Sequence, residues 1–176
     1  MITSPGKIFA FLTFPGVIMH EISHRLMRDF LRIPVYSINY FPTEETQASQ
    51  AYHHKAMKLN HNLLICFAPL ITNNLLCMLF TLPVNSMIVI ARDPEGFKFS
   101  IVFLWWVGIS MGVHAFPSYE DIYNTLLGED KKNYGSFVGF LCFIANWFNY
   151  SRWIRFVYAV LVSYILPLLI FGSNFH

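Results

Sequence analysis

Residues 14–30 read FPGVIMHEISHRLMRDF, and this stretch decides the fold. Its first half is apolar enough for lipid, whereas its second half sets His20, Glu21, His24, Arg25, Arg28 and Asp29 on what the spacing predicts is one continuous helix. Ionisable groups are costly in hydrocarbon and are found there facing protein or a polar cavity, with partners. A helix carrying this many must pack its polar end against other segments or hold it at the membrane interface.

The rest of the chain can supply that cover. Of the 176 residues, 55% are hydrophobic and 12% charged, where an ordinary soluble domain has about 25% charged. Aromatic residues make up 18%, and Trp105, Trp106, Trp147, Tyr150 and Trp153 fall near the ends of apolar runs, where rings anchor at a membrane interface. The formal charge of +2 is small and dispersed, which argues against a nucleic-acid surface and leaves the lipid bilayer as the expected environment. Short loops between apolar segments predict a single domain over 1–176. Cys66, Cys77 and Cys142 all lie within apolar segments. Cys66 and Cys77 would stand about 16 Å apart along one helix, too far to bridge, so the three read as packing residues.

The apolar segments can be followed in order. The first begins at Ile8 and runs into the histidines; Lys7 ahead of it gives the outline of a signal peptide, but no small-x-small cleavage site precedes His20. Residues 33–41, IPVYSINYF, alternate in the manner of a short strand lying at the membrane edge. Further spans are expected at 62–84, with Asn73 and Asn74 near its centre, and at 99–116. The last apolar region, 137–171, is interrupted by NYSRWIR at 149–155. The fold class expected is an all-α integral membrane protein, a bundle of about four to five transmembrane helices with a short membrane-edge β segment. Arg25, Arg28, Arg32, Lys55 and Lys58 lie between spans one and two, and Lys131 and Lys132 between three and four, against Lys7, Arg92 and Lys98 on the other side. This bias places the N-terminus outward and the histidines toward the cytoplasmic side.

HEISH, at 20–24, is an HExxH sequence. On a helix, positions four apart share a face, so His20 and His24 can direct ring nitrogens at one Zn²⁺ about 2.0–2.1 Å away. Glu21, one step round, can take a proton from water at the metal and pass it to a leaving amine, which ties the motif to hydrolysis. The bland alternative is a pair of interfacial histidines with Glu21 paired to Arg25 at i,i+4. A catalytic zinc takes three protein ligands and keeps one open position. Candidates for the third are His53, His54, His61, His114, Glu120 and Asp121. HAFPSYED, at 114–121, is the most informative stretch, with Asp121 preferred and His114 second. Ser118 to Asp121 also has the form of a capping box, in which the carboxylate serves the backbone instead.

The preference for Asp121 rests on a resemblance. From FPGVIMHEISH through HAFPSYED, residues 14 to about 125, the order of features resembles the site-2 protease family of intramembrane zinc metalloproteases, and more closely a group of small bacterial metalloprotease-like membrane proteins. The resemblance implies that His20 and His24 are the paired zinc ligands, Glu21 the general base, Asp121 the third ligand and 33–41 the membrane-edge β segment. It implies a zinc-dependent endopeptidase in the bacterial cytoplasmic membrane, acting on membrane-embedded or membrane-associated peptides. Asp121 is followed by Ile122 where the family pattern has Gly, and APLITNN, at 68–74, places its Asn residues four and five beyond the Pro rather than three. Two other classes fit parts of the pattern. HEISH also satisfies an HxxxH box of membrane di-iron oxygenases and desaturases, although YHHK at 52–55 lacks the earlier His of their HxxHH boxes. A non-catalytic metal-binding membrane subunit would keep the ligands and work through a partner.

Overall fold

In the computed structural model, which describes residues 5–33, 35–38, 51–53, 59–90, 99–122 and 136–172, the first apolar segment is two helices, α1 (Pro5–Leu12) and α2 (Phe14–Phe30), parted at Thr13. The break has a local cause. Thr13 closes α1 by placing both its N–H (3.0 Å) and its hydroxyl (2.8 Å) on the Phe9 carbonyl, and Pro15 then occupies the first turn of α2, where a missing N–H costs nothing. At the other end, Arg32 takes a left-handed conformation (φ 56°). Ile33 N–H bonds the Arg28 carbonyl at 2.9 Å and Arg32 N–H bonds the Asp29 carbonyl at 3.0 Å, the paired bonds of a Schellman ending.

The alternating stretch contributes β1 (Val35–Ile38), which pairs antiparallel with β2 (Ala51–His53). Val35 faces His53, Ser37 faces Tyr52 and Ile38 faces Ala51, with an irregularity between Val35 and Ser37. Next come α3 (Leu59–Ile90), α4 (Phe99–Val113) and the single turn α5 (Tyr119–Ile122). The final apolar region divides at Ser151 into α6 (Ser136–Tyr150) and α7 (Arg152–Phe171).

Of the four to five spans expected, two helices are long and apolar enough to cross a membrane, Asn60–Ser86 within α3 and the whole of α7. Helix α4 is apolar but has 15 residues. Helices α3, α4 and α7 pack on one another, and α2 lies against α3 and α4.

The packing is inside-out by the standard of a water-soluble protein. On α3, Asn73, Cys77, Thr81 and Asn85 recur every four residues and are fully buried, while Ile71, Leu75 and Leu79 recur at the same interval and are exposed. Helix α7 repeats the pattern, with Ser163 buried and Leu161, Ile165 and Leu168 outside. Polar side chains thus bind helix to helix. Asn85 Nδ2 donates to the Ser163 carbonyl at 2.9 Å. That carbonyl is available because Pro167, four residues on, has no N–H to bond it within α7. Close approach does the rest: a Cβ on Gly112 would lie 2.8 Å from both Cys77 Sγ and Ala159 Cβ, so only glycine allows α4 to sit this near α3 and α7.

Candidate metal centre

The α2 register brings His20 and His24 together, as positions four apart on one face must be. Their Nε2 atoms are 3.1 Å apart. Asp121, on α5, completes the group: its Oδ2 is 3.1 Å from His20 Nε2 and its Oδ1 is 3.5 Å from His24 Nε2. Ligand atoms about 2.0–2.1 Å from a tetrahedral zinc stand about 3.3 Å from one another, which is the spacing seen here. Among the described residues, these three form the one group of His, Cys, Asp or Glu whose ligand atoms converge in this way.

The tautomers follow from the other ring nitrogens. His20 Nδ1 is 2.7 Å from the His114 carbonyl and His24 Nδ1 is 2.8 Å from the Ile65 carbonyl. A carbonyl can only accept, so each Nδ1 carries the hydrogen. A neutral ring then presents a bare lone pair at Nε2, and two such lone pairs beside a carboxylate repel unless a cation lies between them. This is the arrangement of metal-ligating histidines, whose second ring nitrogen donates to an acceptor that fixes orientation.

Both acceptors exist for reasons of backbone chemistry. Ile65 lies four residues before Pro69 within α3, so the N–H that would normally bond its carbonyl is missing. His114 follows the last residue of α4, where carbonyls have no partner further along the helix. Its carbonyl also accepts from Asn73 Nδ2 at 3.0 Å, so Asn73, fully buried, supports the acceptor that orients His20.

Asp121 is both cap and member of the cluster. Its Oδ2 accepts the Ser118 N–H at 2.7 Å and the Ser118 hydroxyl at 2.6 Å, while its own N–H reaches Ser118 Oγ at 3.1 Å. The sequence set cap and ligand against each other, but a carboxylate has two oxygens and the cap aims it at the histidines. In the metal-free protein burial acts to raise the Asp121 carboxyl, and positive charge and hydrogen bonding at His24 and His20, which take the place of a cation between the lone pairs, outweigh that and hold it well below the usual carboxylate range.

His114, the second choice as third ligand, is placed elsewhere: its ring Nε2 lies 2.7 Å from Thr13 Oγ1, so it serves the centre through its carbonyl and not its side chain. His61 stands in the first turn of α3, outside the cluster. His53 lies in β2 opposite Val35, Glu120 is beside Asp121 in α5, and His54 is outside the described residues. Asn74, the other amide at the centre of α3, donates instead to the Tyr158 hydroxyl at 2.7 Å.

Glu21 is buried beside the cluster without being one of its converging groups. The helix is held at this depth by Gly16, whose N–H donates to Ser110 Oγ at 2.7 Å. A Cβ there would fall 1.9 Å from the Ser110 carbonyl oxygen, so α2 and α4 could not touch. Reasoning from sequence missed Ile65, whose side chain takes no part; the signal that could have found it is Pro69, four residues on. No protein-family model, no curated protein and no solved structure matches the chain, and its chemistry is read from this geometry alone.

Proposed function

We propose that the chain is a zinc-dependent endopeptidase embedded in a membrane. The observation that carries the reading is the convergence of His20 Nε2, His24 Nε2 and the Asp121 carboxylate while both Nδ1–H groups are bonded to backbone carbonyls. A donor set of two imidazoles and a carboxylate suits zinc, and three protein ligands leave a fourth position open.

Zinc, when bound, supplies Lewis acidity, lowering the pKa of a coordinated water toward about 7 and polarising a carbonyl. Glu21 then acts as general base, taking the proton of the attacking water and handing it to the amine as the C–N bond breaks. The backbone carbonyls of Ile65 and His114 keep both imidazoles in the ligating tautomer. A substrate must present unwound backbone, because a helix engages its own carbonyls, and β1 offers a strand on which an extended segment could pair. The membrane setting is supported by α3 and α7, long and apolar enough to cross, with Asn73, Thr81, Asn85 and Ser163 buried between helices and Ile71, Leu75, Leu79, Leu161, Ile165 and Leu168 exposed. Among the described residues there is no second ligand group of the kind a di-iron site requires.

The test is metal analysis and peptide hydrolysis on detergent-purified protein. One zinc per chain is expected, lost in His24→Ala. Glu21→Gln is expected to keep the metal and lose cleavage by about 10²- to 10⁴-fold. A Glu21→Gln protein that cleaves at the wild-type rate would refute the mechanism, and a wild type that holds zinc with no hydrolysis of any membrane peptide favours a non-catalytic subunit.

A further inference from the structure

Helix α2 carries two arginines, Arg25 and Arg28, and Arg32 follows its end; the three have different surroundings. Arg25 is exposed and reaches Asp29 (3.7 Å) on the outer side, and Arg32 forms the left-handed ending. Arg28 is only 5% exposed, and its Nε has no hydrogen-bond partner. A buried guanidinium is costly unless charges or polar groups meet it.

The helix register says where this one points. Arg28 is one turn beyond His24 and two turns beyond Glu21, on the same face. Helical side chains lean toward the N-terminus, so its stem runs back over His24 toward the cluster. Among the described residues, Asp121 and Glu21 are the anions whose charge reaches it. With a dication bound, those two carboxylates are already balanced, and the Arg28 charge is left over to meet a further anion.

We propose that Arg28 binds the oxyanion of the reaction, its guanidinium receiving the substrate carbonyl oxygen as negative charge develops there. The proposal rests on the metallopeptidase reading above. As the water oxygen bonds to the carbonyl carbon, its proton passes to Glu21 and the carbonyl π pair moves onto oxygen, giving a tetrahedral anion beside Arg28. Collapse re-forms the carbonyl, breaks the C–N bond and returns the proton from Glu21 to the departing amine. Arginine suits the task because its planar fork can donate two bonds to one anionic group.

The test uses the full chain in detergent, loaded with cobalt(II) so that ligand binding is read from the visible spectrum. Two probes are compared: inorganic phosphate, a tetrahedral anion, and imidazole, which occupies the open metal position and asks nothing of a cation. In Arg28→Gln, metal stoichiometry and imidazole affinity should stay within about threefold of wild type, while phosphate affinity falls about 10- to 100-fold, the scale of a charge-assisted hydrogen bond. If Arg28→Gln fails to fold, Arg28→Lys keeps the charge but not the fork. A phosphate loss of about tenfold with imidazole unchanged supports the assignment, and no change for either probe overturns it. Phosphate and imidazole falling together, or phosphate indifferent to residue 28 in a protein that binds metal normally, overturns this inference alone. A wild type that takes up no cobalt overturns the metallopeptidase reading and this inference with it.

Discussion

Replacing Pro69 with Ala would give α3 an N–H that its register lacks at this position, aimed at the Ile65 carbonyl that now accepts the His24 Nδ1–H at 2.8 Å. Two effects of opposite sign follow. In a helix interior Ala is about 3 kcal/mol more favourable than Pro. Pro69 is fully buried, so loss of two ring methylenes costs about 2 kcal/mol in packing. The metal-free protein should therefore stay within about 1 kcal/mol of wild type. The metal centre should not fare so well, because the restored helical N–H competes with His24 for the carbonyl. Losing such an orienting bond lowers metal affinity about 10- to 100-fold, which is about 1.4 to 2.7 kcal/mol. Zinc competition against a chromophoric chelator would measure the affinity, and unfolding of the metal-free protein in the same detergent the stability. Pro83→Ala, farther along the same helix, should leave zinc affinity unchanged. Wild-type zinc affinity in Pro69→Ala would refute the reasoning, since it would mean that the two lone pairs of the Ile65 oxygen accept both donors.

Other outcomes follow from the same geometry. Ser118→Ala removes the hydroxyl bond to Asp121 but leaves the carboxylate, so it should lower stability by about 1 kcal/mol and zinc affinity about tenfold; Asp121→Asn, which can still accept at the cap, should lose more zinc affinity than stability, by the same two assays. Gly16→Ala would set a Cβ 1.9 Å from the Ser110 carbonyl oxygen, parting α2 from α4 at a cost of about 1–3 kcal/mol, measured by thermal unfolding. Asp121 has a depressed carboxyl pKa in the fold, so its contribution to metal-free stability is fully present above the unfolded value of about 3.9 and is lost as pH falls through the lower folded value. The stability difference between wild type and Asp121→Asn should accordingly shrink on acidification below about pH 4, in unfolding curves measured across pH.

The convergence of His20 and His24 was legible because HExxH encodes geometry directly: four residues on a helix is one face, whatever the rest of the chain does. Asp121 needed the resemblance, since a carboxylate three residues after Ser118 is equally a helix cap, and in the structure it is a cap as well. What the pattern could not carry was the orientation of the rings. That depends on a carbonyl left over by Pro69 and another left over where α4 ends, and backbone groups leave no signature in side-chain identity. Arg28 shows the same limit. In the sequence it counts as one of several positive charges that orient the first segment, and only the way α2 packs on α3 and α4 separates it from its exposed neighbour Arg25. The division of the first segment at Thr13 was legible only in part: Pro15 and Gly16 make the start of the second helix uncertain in the sequence, whereas the Thr13 hydroxyl bond to the Phe9 carbonyl leaves no mark in the apolar pattern.

The two backbone acceptors also bear on how the molecule can be made. Chains are synthesised from the N-terminus, so the histidines of α2 emerge first, the Ile65 carbonyl follows with α3, and the His114 carbonyl exists only once the chain has been extended past Val113. Until then His20 lacks the contact that fixes its tautomer, and Asp121 has not been added. A metal bound at this group would thereby be captured late in synthesis, and until α4 arrives the polar face of α2 lacks the cover it has in the finished fold.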